Sequence, residues 1–178
     1  MSALETAARE LANVYEDYFE MSKKLQSDMN ALVERESETP EWRRNFVRTS
    51  WPMIEAYAST LRNICSVISK HAGLKLSKRN RKLLEDESRL ATTERLKQSL
   101  KLAFNMHELE VKPIFSDANW LHLRQAIRVR DRLMHPKKSS DLDIAEDEWQ
   151  EIFNGITWVL SELFSFFEQV HKQYGPRT

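Results

Sequence analysis

From Arg130 to Pro136 the chain reads Arg-Asp-Arg-Leu-Met-His-Pro, its densest concentration of groups that could do chemistry. A guanidinium grips phosphate oxygens bidentately, and an imidazole moves protons near neutral pH. Cleavage of a phosphodiester requires that pairing. Between Trp120 and Lys138 the cations Arg124, Arg128, Arg130, Arg132, Lys137 and Lys138 are opposed only by Asp131. The acidic residues Asp141, Asp143, Glu146, Asp147 and Glu148 follow at once and restore the balance.

Other chemistries find little support. There is no glycine-rich phosphate loop, no His-Glu-x-x-His pair, no Cys-x-x-Cys and no glycine-flanked serine. His71, His107, His122, His135 and His171 are scattered, none four residues from another, so neither a metal site nor a cofactor is expected. Cys65 is the only cysteine; it reads as a small buried apolar residue in a reducing compartment.

The reactive segment ends a predicted helix that starts at a Ser116 or Asp117 cap and runs to about Met134. Trp120, Leu123, Ile127, Arg130 and Met134 fall on one stripe of it, with Ala126, Val129 and Leu133 beside them. Arg130 therefore points toward the apolar side, where it must be paired, line a pocket or interface, or snorkel to water. Arg124, Arg128 and Asp131 share a wetter face. Arg130 and His135 stand about 140° apart on an ideal helix and do not meet on a straight one. Either the break before Pro136 swings the imidazole back, or two copies pair across a twofold axis. Arg128, about 20° off the face of His135, is the fallback partner.

The elements around this segment are helical almost everywhere. A first helix spans about Ser2 to Arg35, opened by a Ser2/Glu5 capping box. Its stripe (Leu4, Ala8, Leu11, Tyr15, Tyr18, Ser22, Leu25, Met29, Leu32) suits core packing or a partner helix. Thr39 and Pro40 open a second helix that Gly73 stops, with Phe46, Ile54, Ala58, Leu61, Cys65 and Ile68 inward. Pro52 predicts a kink there or a restart near Ser50. Lys75 to Arg89, with Lys78, Arg79, Arg81 and Lys82, reads as a charged loop with one short helix. It is a solvated face or an RNA contact. A third helix begins at Thr92 or Thr93, ends near His107 and carries Leu96, Leu100, Ala103 and Phe104 inward. Asp143 and Glu146 form the expected capping box of a last helix, closed by Gly175, with Trp149, Phe153, Ile156, Leu160, Leu163 and Phe167 buried.

Composition agrees with this reading. The chain has 178 residues, three glycines and five prolines, too few turn formers for an all-β fold. The expected architecture is an all-α, up-and-down bundle of about five helices in a single domain, 1–178. The formal net charge is zero, so attraction to nucleic acid must be local. No apolar run approaches the ~20 residues of a membrane span, and Glu5, Arg9 and Glu10 interrupt any signal sequence. A cytoplasmic protein without membrane contact is expected.

With Arg130, Asp131 and His135 closing a late helix before Pro-Lys, the chain resembles the HEPN superfamily. Those are small helical domains of prokaryotic toxins, defence systems and RNA-processing factors. The runs Phe46-Val47-Arg48-Thr49-Ser50-Trp51 and Ile54-Glu55-Ala56-Tyr57 are similar to the second helix of such proteins. The likeness covers about Arg43 to Gln173, within a HEPN-like core over 39–174, and makes 1–38 an added helix. It implies a metal-independent endoribonuclease acting as a homodimer, a toxin or part of an antiviral defence system with an antitoxin or neighbouring defence protein as partner. His135 would be general acid or base, Arg130 would stabilise the scissile phosphate and Asp131 would position one of them. The product would carry a 2′,3′-cyclic phosphate. Arg124, Arg128, Arg132, Lys137 and Lys138 would bind the RNA. Two departures are visible: Lys137 stands where some toxin members carry a modifiable tyrosine, and Asp131 replaces a common asparagine. Many members are inactive, so the alternative is a non-catalytic RNA-binding or protein-interaction module. A purely structural helical protein, with His135 capping a helix end, is the third reading.

Overall fold

The computed structural model describes residues 2–34, 39–85 and 90–174. They form six α-helices and a short 3-10 helix, with no strand among the described residues. The helices are α1 (Ala3–Val33), α2 (Pro40–His71), α3 (Lys78–Leu84), α4 (Thr92–Met106), α5 (Ala118–Met134) and α6 (Glu146–Tyr174). The 3-10 helix spans Ser139–Leu142. The fold class is all-α, as the periodicity predicts.

Local chemistry sets most of the helix ends. Ser2 Oγ accepts from the Glu5 N–H at 3.2 Å while Glu5 Oε2 accepts from the Ser2 N–H at 2.7 Å, a reciprocal box. Thr39 Oγ1 accepts from the Trp42 N–H, Ser77 Oγ from that of Asn80 and Asp117 Oδ1 from that of Trp120. Gly73, at φ +62°, follows the last turn of α2 in the left-handed region. The expected ends at Arg35, Arg89 and Gly175 lie outside the described residues.

At several points the structure decides between expectations or corrects them. First, of the two alternatives at Pro52 the restart does not occur, because α2 is continuous from Pro40 to His71. A proline removes one N–H from the ladder, and the buried Trp51, Met53 and Ile54 hold the flanking turn in place. Second, α6 starts at Glu146, so Asp143 is not its cap and instead ends the 3-10 helix. Glu146 is drawn away to Arg43, its Oε2 lying 2.6 Å from Nη2. Third, Phe153 is 39% exposed, and Leu160 and Phe167 are half-buried rather than buried. The buried stripe of α6 is Ile152, Ile156, Val159, Leu163 and Phe166, which leaves Phe153 at its edge against Phe46 and Trp149.

The chain forms two compact units, with α1, α2 and α6 contributing segments to both. One comprises Met1–Met21, Glu55–Pro113 and Leu163–Thr178. Its core joins Leu61, Ile64, Leu100, Phe104 and Phe166. Tyr18 stacks on Phe167 at 4.2 Å and meets Tyr57 edge-on at 5.3 Å, so this part of the α1 stripe is spent inside the chain. Cys65 is fully buried here, and burial pushes its thiol up to about 12, which keeps it protonated and inert.

His107 also belongs to this unit. Its ring is buried edge-on against Phe166, and Nδ1 donates to the Ala103 carbonyl at 2.9 Å. Burial lowers its pKa below the ordinary histidine value, against the smaller raising effect of that bond. The fold therefore favours the neutral ring. The stability this brings is complete above the unfolded pKa and falls as pH drops through it toward the lower folded value. Urea denaturation at pH 7.5 and 5.5 should show His107→Leu losing less stability on acidification than the parent. Equal losses would contradict the assignment.

The second unit comprises Ser22–Ile54 and Ile114–Glu162. It packs the early part of α2 and the start of α6 with α5, through Trp51, Leu123, Ile127, Leu133, Trp149 and Ile152. The Arg43 guanidinium lies 5.3 Å from the Trp149 ring centre.

Candidate functional site

The residues of the Arg130–His135 motif and the cations around it fall in this second unit, on α5 and the segment after it, whereas the basic run Lys78, Arg79, Arg81 and Lys82 lies on α3 in the first. Helix α5 is seated by its inner side: Leu123, Ala126, Ile127, Val129 and Leu133 are buried. Where it crosses α6 the backbones nearly touch. A Cβ built on Gly155 would lie 2.4 Å from the Leu123 nitrogen and 2.7 Å from the His122 carbonyl oxygen. Only glycine permits that approach.

Arg130 follows the apolar stripe, as its spacing predicts, and is paired there. Its side chain is 22% exposed, its guanidinium carbon sits 5.4 Å from the ring centre of buried Trp51, and Nη1 donates to Asp131 Oδ1 at 2.9 Å. Neighbours in sequence do not share a helix face. The long arginine stem covers the gap, and the indole supplies a cation–π seat worth ~1 kcal/mol. Met134, expected on this stripe, is instead 49% exposed at the fraying end.

His135 caps α5. Its N–H still donates to the Asp131 carbonyl at 3.1 Å, while φ −132° and ψ 56° take it out of helical geometry, as Pro136 requires. The imidazole is exposed, and among the described residues its ring makes no hydrogen bond or ion pair. Neither Arg130 nor Arg128 is hydrogen-bonded to it. Arg48 of α2 reaches the same helix end with a long 3.5 Å contact to the Leu133 carbonyl. The approach of Arg48 to α5 is set by tertiary packing, so nothing in its local sequence marks it.

The remaining cations divide. Arg124 and Arg128 stand exposed on the outer face of α5, Arg128 with a 3.5 Å contact to Gln125 Oε1. Lys137 and Lys138 are exposed, and their backbone N–H groups both donate to Asp141 Oδ2, at 2.8 and 3.1 Å. Those two bonds, that of Lys137 foremost, and the charges of Lys138 and Arg132 hold the Asp141 carboxyl below its usual range. Arg132 is already occupied. Its guanidinium donates to both Glu148 carboxylate oxygens (3.1 and 2.7 Å), to the Asp141 carbonyl (3.1 Å) and to the Asp143 carbonyl (2.7 Å). It fastens the 3-10 segment to α6.

No protein-family model, curated protein or solved structure matches this chain. Among the described residues no helix is long and apolar enough to cross a membrane, and no group of three His, Cys, Asp or Glu side chains is placed to hold a metal ion.

The engaged state of Arg132 has a measurable consequence. Arg132→Met keeps much of the stem but leaves Glu148 and two carbonyls without their donor, at a cost of about 2 kcal/mol. Hydrogen exchange should speed up across residues 137–145 ahead of the α5 interior. Uniform acceleration along α5, or none at all, would contradict the bracket.

Proposed function

We propose that the C-terminal end of α5 cleaves RNA as a HEPN-like, metal-independent endoribonuclease working as a homodimer. The observation that carries this reading is a guanidinium held in place beside an exposed helix end whose capping imidazole has no internal partner. A residue kept only for packing is satisfied by the protein around it, whereas the His135 ring is presented to solvent.

The chemistry follows from those groups. One imidazole takes the proton of a ribose 2′-hydroxyl, whose oxygen attacks the adjacent phosphorus. The bond from phosphorus to the 5′-oxygen breaks, and that oxygen receives a proton from an imidazolium, supplied in a dimer by the second copy. Arg130 stabilises the charge that builds on the phosphoryl oxygens. Asp131 orients Arg130 through its 2.9 Å ion pair. Lys137 and Lys138 add positive charge near the reacting phosphate. A role as a toxin or antiviral defence component, with an inhibitory neighbour as partner, extends the same reading.

The products test it. RNA fragments should end in a 2′,3′-cyclic phosphate, and a substrate with one 2′-deoxy nucleotide at the cut site should resist there. Cleavage that leaves a 3′-hydroxyl, or ignores the deoxy substitution, contradicts the mechanism. The second reading, a non-catalytic RNA-binding or protein-interaction module, is favoured by the absence of a hydrogen bond between Arg130 and His135 among the described residues. It predicts salt-sensitive RNA binding with the RNA left intact.

A further inference from the structure

A helix C-terminus is a poor place to hold a phosphate, because its unpaired carbonyls carry about half a negative charge. The proposed reaction nevertheless sets its phosphate at that end of α5, in front of His135. Arg130 does not make up the difference, since Asp131 faces it at 2.9 Å and the pair is close to neutral. Lys137 and Lys138 are offset in part by the Asp141 carboxylate, which accepts from both of their N–H groups. The helix end therefore needs a further cation, and α2 brings one.

Arg44, Arg48 and Trp51 lie within about 60° of arc on α2. Trp51 meets Arg130, Arg48 Nη2 reaches the Leu133 carbonyl at 3.5 Å, and Arg44 Nη1 reaches the Leu142 carbonyl at 3.4 Å. Each step back along α2 is thus a step forward along α5 and past its end. This antiparallel register sets Arg48 one turn from Trp51, against the last turn of α5. His135 follows Leu133 by two residues, a backbone span of at most ~7 Å. Of the arginines that α2 gives this unit, Arg43 is held by Glu146 and Arg44 by Glu41. Arg48 is exposed and has no ion pair among the described residues, and its hydrogen bond to Leu133 is at the long limit of such bonds.

We propose that Arg48 is a second catalytic guanidinium of this site, contributed by α2. With one N–H on the Leu133 carbonyl it offsets the helix end. Its other four N–H groups are left for the non-bridging oxygens of the reacting phosphate. Arg130 and Arg48 then flank that phosphate from two helices. Negative charge building on the phosphoryl oxygens meets a cation that no carboxylate has already neutralised. Arg48 moves no proton; His135 keeps that role. The inference rests on the RNA-cleaving reading and adds to it a residue from outside the α5 motif.

Two measurements on the intact protein test it: steady-state cleavage of a short RNA, and proton NMR of the His135 ring with inorganic phosphate as the probe. Arg48→Met should lower kcat by about 100-fold, with KM changed by less than about threefold and the melting temperature nearly level. Arg48→Lys keeps a cation at the helix end without the planar fork, so it should recover no more than about a tenth of the parent rate. A capping role alone would be restored in full. Phosphate should shift the His135 ring signals of the parent, and Arg48→Met should need about tenfold more phosphate for the same shift. A phosphate response that is missing from the parent, or identical in the two proteins, overturns the proposal, as does full recovery of cleavage by Arg48→Lys. If cleavage depends on His135 while Arg48→Met cuts at the parent rate, Arg48 drops out and the nuclease survives. If the parent cuts nothing yet the phosphate response depends on Arg48, the nuclease fails and the phosphate contact stands.

Discussion

Replacing Gly155 with alanine should lower the melting temperature by about 10 °C, a large loss for a single added methyl group. The sign is informative. At an unconstrained helix position the same change stabilises by up to about 1 kcal/mol, since alanine is the better helix former. Gly155 is buried in α6, and the atoms its Cβ would meet at 2.4–2.7 Å belong to the backbone of α5 at His122 and Leu123. A backbone cannot rotate aside as a side chain can. The two helices must separate, at a cost of about 3 kcal/mol. Thermal denaturation followed by circular dichroism decides it, and a melting temperature that stays level or rises would mean α5 and α6 do not pack as closely as described.

The second large effect concerns the proposed RNA cleavage. His135→Ala should reduce RNA cleavage by about 10²–10⁴-fold, the usual range for a lost acid–base group. Because the ring is exposed and makes no hydrogen bond among the described residues, the melting temperature should hardly change. Arg130→Ala should cost similar activity and also about 1 kcal/mol of stability, from the lost contact with Trp51. Arg130→Lys keeps the charge without the planar fork, so it should recover stability better than activity. Retained cleavage in both alanine variants would remove the motif from the mechanism.

Much of the fold is readable where the controlling interaction is local. Ser2 with Glu5, Thr39 before Pro40, Asp117 three residues before Trp120, and Gly73 all act within one turn of the helix end they control. The inward direction of Arg130 follows from helical period alone. Features decided by distant partners are not readable in this way. Asp143 resembles a cap by spacing, yet the acidic loop is organised instead by Asp141 on the N–H groups of Lys137 and Lys138, and Glu146 goes to Arg43. Arg132 looks like its basic neighbours, and only Glu148, sixteen residues on, separates it from them. Gly155 carries no local signal at all, since its need for a missing side chain comes from α5. Trp51 beneath Arg130 lies in a run noted for its family likeness, but its contact with Arg130 is tertiary.

Whether the proposed metal-free RNA cleavage runs through His135 is decided by one incubation. Purified protein and its His135→Ala variant are each mixed with total RNA in excess EDTA, and the RNA is resolved on a denaturing gel. Fragments are expected from the parent and intact RNA from the variant. Intact RNA in both lanes, or the same fragments in both, would contradict the proposal.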